Sequence, residues 1–240
     1  MNKTKQIITL GLGSLMALSG LNSCDDNNET PDFAAVSDVY MQKITVDDQV
    51  KYAPVFYVYS NRNLKEVSVT APGDEEKTYT LEKNGENSNL FVWNPTDEDF
   101  TTEKTEEGDY TFTITSSKDE LLEGIDKLKE DEIDAITIDK FDYDASTHSF
   151  DISWNEIEDA KVYVVKIITK EDKDQLYIST GLDENSLEFD EQTYGWSQNI
   201  EVPEGTECIL EVYAYHFEDQ KNPSWYDIQM ECIDSREFNW

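Results

Sequence analysis

From about residue 38 the chain alternates between short apolar runs and turn-forming text. About six runs, DVYMQKITV, YAPVFYVYS, LKEVSVTA, KTYTLEK, NLFVWNP and DYTFTITSS, are rich in Val, Tyr, Thr and Phe. SNRN, APGDEE and KNGENSN separate them. β-branched and aromatic residues in runs this short, broken by Gly, Asn and Pro, predict strands. In the last run Tyr110, Phe112 and Ile114 share one face, and Thr111, Thr113 and Thr115 share the other. That period of two is the mark of a half-buried strand. Residues 37–117 are therefore predicted to form a β-sandwich.

Residues 118–136 change period. In KDELLEGIDKLKEDEI, Leu121, Leu122, Ile125 and Leu128 fall at helical spacing. Ser117 stands in capping position, with Glu120 three residues on. The spacing predicts a short helical connector. Gly124 argues against it, and a last strand followed by a loop is the alternative. Strands return at residue 137. In SFDISWN, Phe150, Ile152 and Trp154 face one way, and Asp151, Ser153 and Asn155 the other. EIEDAKVYVVKIIT, QLYIST, SLEFD, IEVPEGTECILEVYAY and WYDIQMECI follow. The fold class is all-β: two tandem β-sandwiches, 37–117 and 137–240, joined by the connector.

Two motifs place these sandwiches among known folds. EEGDYTFTI resembles the start of strand F in immunoglobulin-like domains, where a tyrosine closes the corner through its hydroxyl. Tyr110 holds that position. The second unit resembles a fibronectin type III-like module over about residues 137–236. Trp154 matches the inward Trp of strand B, and Ala160, Tyr163 and Val165 match A-x-x-Y-x-V on strand C. Gly205, Thr206, Leu210, Val212 and Ala214 match strand F. Where that family carries the strand-F tyrosine, this chain has Cys208. The resemblance implies a fold and no catalytic residues.

The first residues read as an export leader. MNKTK is basic, and IITLGLGSLMALSGL is an apolar stretch of about fifteen residues, short for a membrane span. Leu21-Asn22-Ser23-Cys24 resembles a bacterial lipobox, so the expected layout is a leader at 1–23 and a lipid on Cys24. A polar tether at 24–36 follows. Asp25 and Asp26 resemble the acidic surface-export signal of outer-membrane lipoproteins from gut glycan-degrading bacteria. That resemblance implies a lipid-anchored protein of the outer membrane, exposed at the cell surface. A periplasm-facing location is the alternative.

Composition narrows the partners. The chain carries 53 Asp plus Glu against 19 Lys plus Arg, a formal net charge of −34. Such a surface repels phosphate backbones and excludes nucleic acid. Disorder is set aside because 12% of residues are aromatic and recur in ordered patterns.

Candidate chemistry is sparse. The two histidines, His148 and His216, form no H-x-x-x-H or H-E-x-x-H pattern, and no nucleophile elbow or phosphate loop occurs. Acid-rich loops such as TDEDF could take calcium, but they lack the EF-hand pattern, and solvated charge is the favoured reading. No metal or cofactor is expected. Cys208 and Cys232 lie on the last two strands, and a hairpin centred on residue 220 would set them opposite each other. They form a disulfide or remain two buried thiols. The loop YHFEDQKNPSWYD places His216, Phe217, Trp225 and Tyr226 near a sandwich tip, and EQTYGWSQ adds Tyr194 and Trp196. These aromatics either contact a ligand or plug the sandwich end. The functional expectation is a non-catalytic, membrane-anchored protein that binds or scaffolds a glycan or a surface protein. An accessory subunit of an outer-membrane complex is the alternative, and a hydrolase the less favoured one.

Overall fold

The computed structural model describes residues 31–47, 49–73, 77–197 and 202–240. The leader, Cys24 and the first part of the tether lie outside the described residues. Fifteen strands are named among those described. The first half carries β1 (Ala35–Val46), β2 (Gln49–Ser60), β3 (Leu64–Thr70), β4 (Thr78–Thr80), β5 (Glu82–Asn84), β6 (Asn87–Trp93), β7 (Gly108–Ser116) and β8 (Leu121–Leu128). The second half carries β9 (Ile138–Asp144), β10 (Ser149–Trp154), β11 (Val162–Thr169), β12 (Gln175–Ile178), β13 (Ser186–Phe189), β14 (Glu207–Phe217) and β15 (Ile228–Asn239).

The strands form two immunoglobulin-like β-sandwiches that share a wall. That wall is one eight-stranded sheet in the order β12-β11-β14-β15-β1-β2-β6-β5. The sheet β4-β3-β7-β8 covers its first-half strands, and the sheet β13-β10-β9 covers its second-half strands. The seam is a parallel pairing of the first strand with the last, Met41–Ile44 against Met230–Ile233. One apolar cluster runs through both sandwiches. Val39, Phe56 and Phe112 lie in the first, and Trp154, Val165 and Val212 in the second. Tyr110 donates its hydroxyl to the Glu106 carbonyl at 2.7 Å, the corner bond its motif implies.

The helical connector is not what forms. Residues 121–128 are β8, paired antiparallel along β7 from Thr115↔Leu121 to Gly108↔Leu128. Asp119, at φ 61°, makes the turn, and the Ser116 N–H bonds to the Glu120 carbonyl at 2.9 Å. The apparent helical period mixes two faces of a strand: Leu128 is buried, while Leu121 and Ile125 are 65% and 69% exposed. Gly124 explains itself here. A Cβ at that position would sit 3.1 Å from Ser37 Oγ, so the small residue lets β8 pass close to β1.

Of the two readings of the cysteines, the disulfide fails, because the hairpin is centred further along. β14 and β15 pair with Cys208 opposite Phe238 and Cys232 opposite Ala214. The two cysteines are thus six residues out of register, roughly 20 Å along the strand at the usual rise. A disulfide needs Cα atoms within about 7 Å. Both thiols are buried and free. Burial pushes Cys208 up to about 11 and Cys232 up to about 12, so both are protonated at neutral pH and unreactive. Iodoacetamide is expected to label neither in the folded chain and both after denaturation, read by intact mass.

The segment after β8 is fastened by a charge hub. Glu132 Oε1 accepts from Lys43 Nζ at 2.6 Å and from the Tyr52 hydroxyl at 2.9 Å, and Lys104 pairs with its other oxygen. Lys43, itself buried, also donates to the Ile133 carbonyl at 2.7 Å. Burial raises the Glu132 carboxyl, but hydrogen bonds from Lys104, Lys43 and Tyr52 outweigh it and hold it at about 2. A carboxyl depressed by folding stabilises above its unfolded value, near 4.3, and loses that contribution as pH falls toward 2. Glu132→Gln is expected to cost about 1–3 kcal/mol at pH 7. Between pH 5 and pH 2 its melting temperature should fall less than that of the wild type.

Candidate ligand groove on the outer face of the shared sheet

The face of the eight-stranded sheet turned away from the two covering sheets is unusually apolar. Strand alternation builds it. On β14, Leu210, Val212 and Ala214 enter the sandwich core, which leaves Glu211, Tyr213, Tyr215 and Phe217 on the other side. β1 contributes Tyr40 and Gln42 to that side, β2 contributes Val55 and Tyr57, β11 contributes Val164 and Lys166, and β15 contributes Glu231. A solvated outer face would be polar. Here Tyr40, Tyr57, Tyr215, Phe217 and Ile228 form a second buried cluster.

The loop between β14 and β15 lies over this cluster. Trp225 stands edge-on to Tyr215 at 4.9 Å and to Phe217 at 5.4 Å. Tyr57 donates its hydroxyl to the Trp225 carbonyl at 2.5 Å, which pins the loop to β2. Beside the loop is a cavity of about 550 Å³, within the ordinary range for small-ligand sites. Tyr213, Tyr215, Trp225 and Tyr226 supply its aromatic wall, and Asn94, Pro95 and Phe100 approach from the first sandwich. Tyr213 and Tyr215 are nearly parallel, 7° apart with centroids 6.1 Å apart.

Polar groups converge on the same space. Gln42 Nε2 donates to Glu231 Oε1 at 2.5 Å, and Tyr213 donates to Glu211 Oε2 at 2.6 Å. Glu231 is 0% exposed, and its Oε2 has no hydrogen-bond partner among the described residues. Burial raises its carboxyl, opposed by Gln42, Tyr215 and Lys166. Burial lowers Lys166, opposed by Glu211 and Glu231. The groove therefore offers flat aromatic faces beside a buried carboxyl and a buried amine, each shifted by burial toward its neutral form.

The six aromatic candidates from the sequence separate. Trp225 and Tyr226 line the groove, and Phe217 is buried beneath Trp225. His216 is turned elsewhere, with Nδ1 3.1 Å from the Asp159 carbonyl. Trp196 packs on the second core, against Tyr177 at 4.9 Å and Trp240 at 5.5 Å. Its Nε1 donates to the Asp190 carbonyl at 2.8 Å. Tyr194 is 87% exposed and stands apart from the groove. Sequence reasoning missed Tyr213, Tyr215, Glu211, Glu231, Lys166 and Gln42. The signal was in ECILEVYAYHF, whose two faces are both largely apolar, unlike those of a strand with one solvated side.

Fold and groove together define a tandem immunoglobulin-like β-sandwich protein with a small-ligand-sized cavity on its shared sheet. No protein-family model matches the chain, and no curated protein matches it. Among solved structures it is similar to one described as a tetra-tandem repeat in the extending region of a large adhesion protein. The identity is 12% and the TM-score 0.25, with 85% of this chain and 49% of that one covered. This chain thus spans about half the length of that structure, and a likeness so slight carries no functional argument.

Proposed function

We propose that the chain is a non-catalytic binding protein, held by lipid on Cys24 at the outer surface of an outer membrane, and that its groove takes a glycan. The carrying observation is the cavity beside Tyr213, Tyr215, Trp225 and Tyr226, with Gln42, Lys166, Glu211 and Glu231 at its edges. Sugar rings present apolar C–H faces that stack on aromatic rings, ringed by hydroxyls that need directional partners. Aromatic wall plus charged and amide edges matches both needs. The leader pattern and the acids at 25 and 26 support the location. A glycan array with the purified chain tests the reading. A folded protein that retains a saccharide without releasing product supports it. No retention, or steady release of product, counts against it.

One observation favours an accessory role as the second reading. β8 is an edge strand of its sheet and exposes Leu121 and Ile125. Copurification of a stable membrane partner, lost on Ile125→Lys, would favour that role.

A further inference from the structure

Next to the groove, three acids from distant parts of the chain meet. Asp38 on β1, Asp126 on β8 and Glu218 just past β14 each bring a carboxylate oxygen within 4.8 Å of the others. The Asp126 Oδ2 accepts the Val39 N–H at 2.7 Å, and its Oδ1 accepts the Lys127 N–H at 2.9 Å. Lys129 Nζ lies 2.5 Å from Glu218 Oε2. Lys129 meets the cluster through one oxygen of Glu218.

Asp38 adds an independent observation. It is 1% exposed, and its Oδ2 accepts the Ile228 N–H at 3.1 Å. Its Oδ1 is buried and has no hydrogen-bond partner among the described residues. A solvated acidic patch would not orphan a buried carboxylate oxygen, because desolvating one without a partner is costly. Its carboxyl lies against that of Asp126, a like charge. A cation bound between the carboxylates would satisfy that oxygen.

We propose that Asp38, Asp126 and Glu218 form a divalent-cation site whose ion is calcium. The donors are all carboxylate oxygens, and no His or Cys takes part, which selects a hard cation. Each carboxylate keeps lone pairs beyond the bonds described above. Calcium accepts irregular sets of oxygen ligands completed by water, whereas magnesium demands a near-ideal octahedron. The three residues lie far apart in the chain and form no contiguous loop motif, so their meeting is not legible locally.

The ion would act on the groove. Glu218 opens the loop that carries Trp225 and Tyr226, and Tyr57, paired across from Asp38, holds the Trp225 carbonyl. Calcium therefore fastens the start of that loop to β1 and β8 and strengthens ligand retention. The coupling rests on the proposed glycan groove, but the ion site does not.

The test is calcium titration of the EDTA-treated chain by calorimetry, with melting curves in parallel. One ion is expected at a Kd on the order of 0.1–1 mM, with a melting-temperature rise of about 5 °C near saturation. Asp38→Asn keeps an acceptor for Ile228 and should abolish both signals, and Glu218→Gln should weaken binding at least about tenfold. Failure of the wild type to bind up to about 10 mM overturns the site, leaving a proton shared among the acids. An unchanged response in both variants overturns it too, since calcium would then sit elsewhere on the acidic surface. An equal response to magnesium overturns the choice of ion. A calcium response that leaves glycan retention unmoved keeps the site and removes the coupling.

Discussion

A fragment of residues 137–240 is expected to aggregate on expression or to unfold far below the full chain. In the intact protein, the edge of β15 is covered by β1 through Met41–Ile44 against Met230–Ile233. Removing the first half bares that edge, and an unpaired, apolar edge templates association. It also strips Tyr40, Val55 and Tyr57 from the cluster they share with Tyr215, Phe217 and Ile228. The combined loss is at least about 5 kcal/mol, as much as an ordinary domain has to lose. The reciprocal fragment, 31–136, loses β15 and should fail in the same way. The full chain should melt in one calorimetric transition. Two separate endotherms, or two soluble fragments melting where the whole chain does, would show that the shared sheet is not an energetic unit.

The second large effect concerns Trp225 and Trp196, which look alike in the sequence and differ in the fold. Trp225→Ala is expected to lower glycan affinity about 30-fold, near 2 kcal/mol, while the melting temperature moves by only about 3 °C. Its ring stands at the groove wall, partly buried, against Tyr215 and Phe217. Trp196→Ala should do the reverse. It opens a hole among Tyr177, Phe189 and Trp240 and costs about 2–4 kcal/mol of stability. The folded fraction of that variant should bind as the wild type does. Gly195 supports this assignment: it sits at φ +126°, and a Cβ there would lie 2.3 Å from the Ile178 carbonyl. That turn is shaped to seat Trp196 on the core.

How much was legible in the sequence follows from the range of each interaction. Strand alternation is local, so SFDISWN announced Trp154 as a core residue, and it is buried beside Tyr163 at 5.5 Å. The corner bond of Tyr110 reaches back only four residues and was equally readable. β8 was misread because its outward Leu121 and Ile125 are apolar, which imitates helical spacing when edge exposure is unknown. The choice between a disulfide and two thiols is not legible, because hairpin register depends on where the long loop ends, and a shift of the centre moves every partner. The β1–β15 seam joins the two ends of the described chain and leaves no local pattern. Trp225 and Tyr226 stand out in the sequence because they lie in a marked loop. Tyr213 and Tyr215 were passed over because a β-sandwich strand is expected to hide its aromatics on one side only.

Hydrogen exchange on the protein, alone and saturated with the saccharide the array retains best, tests the groove most directly. The predicted footprint is slowed exchange in the 218–227 loop and at the flanking ends of β14 and β15, with no change around Tyr194 and Trp196. Protection confined to the Tyr194–Trp196 turn, or to the β8 edge, would place the binding surface elsewhere and contradict the groove.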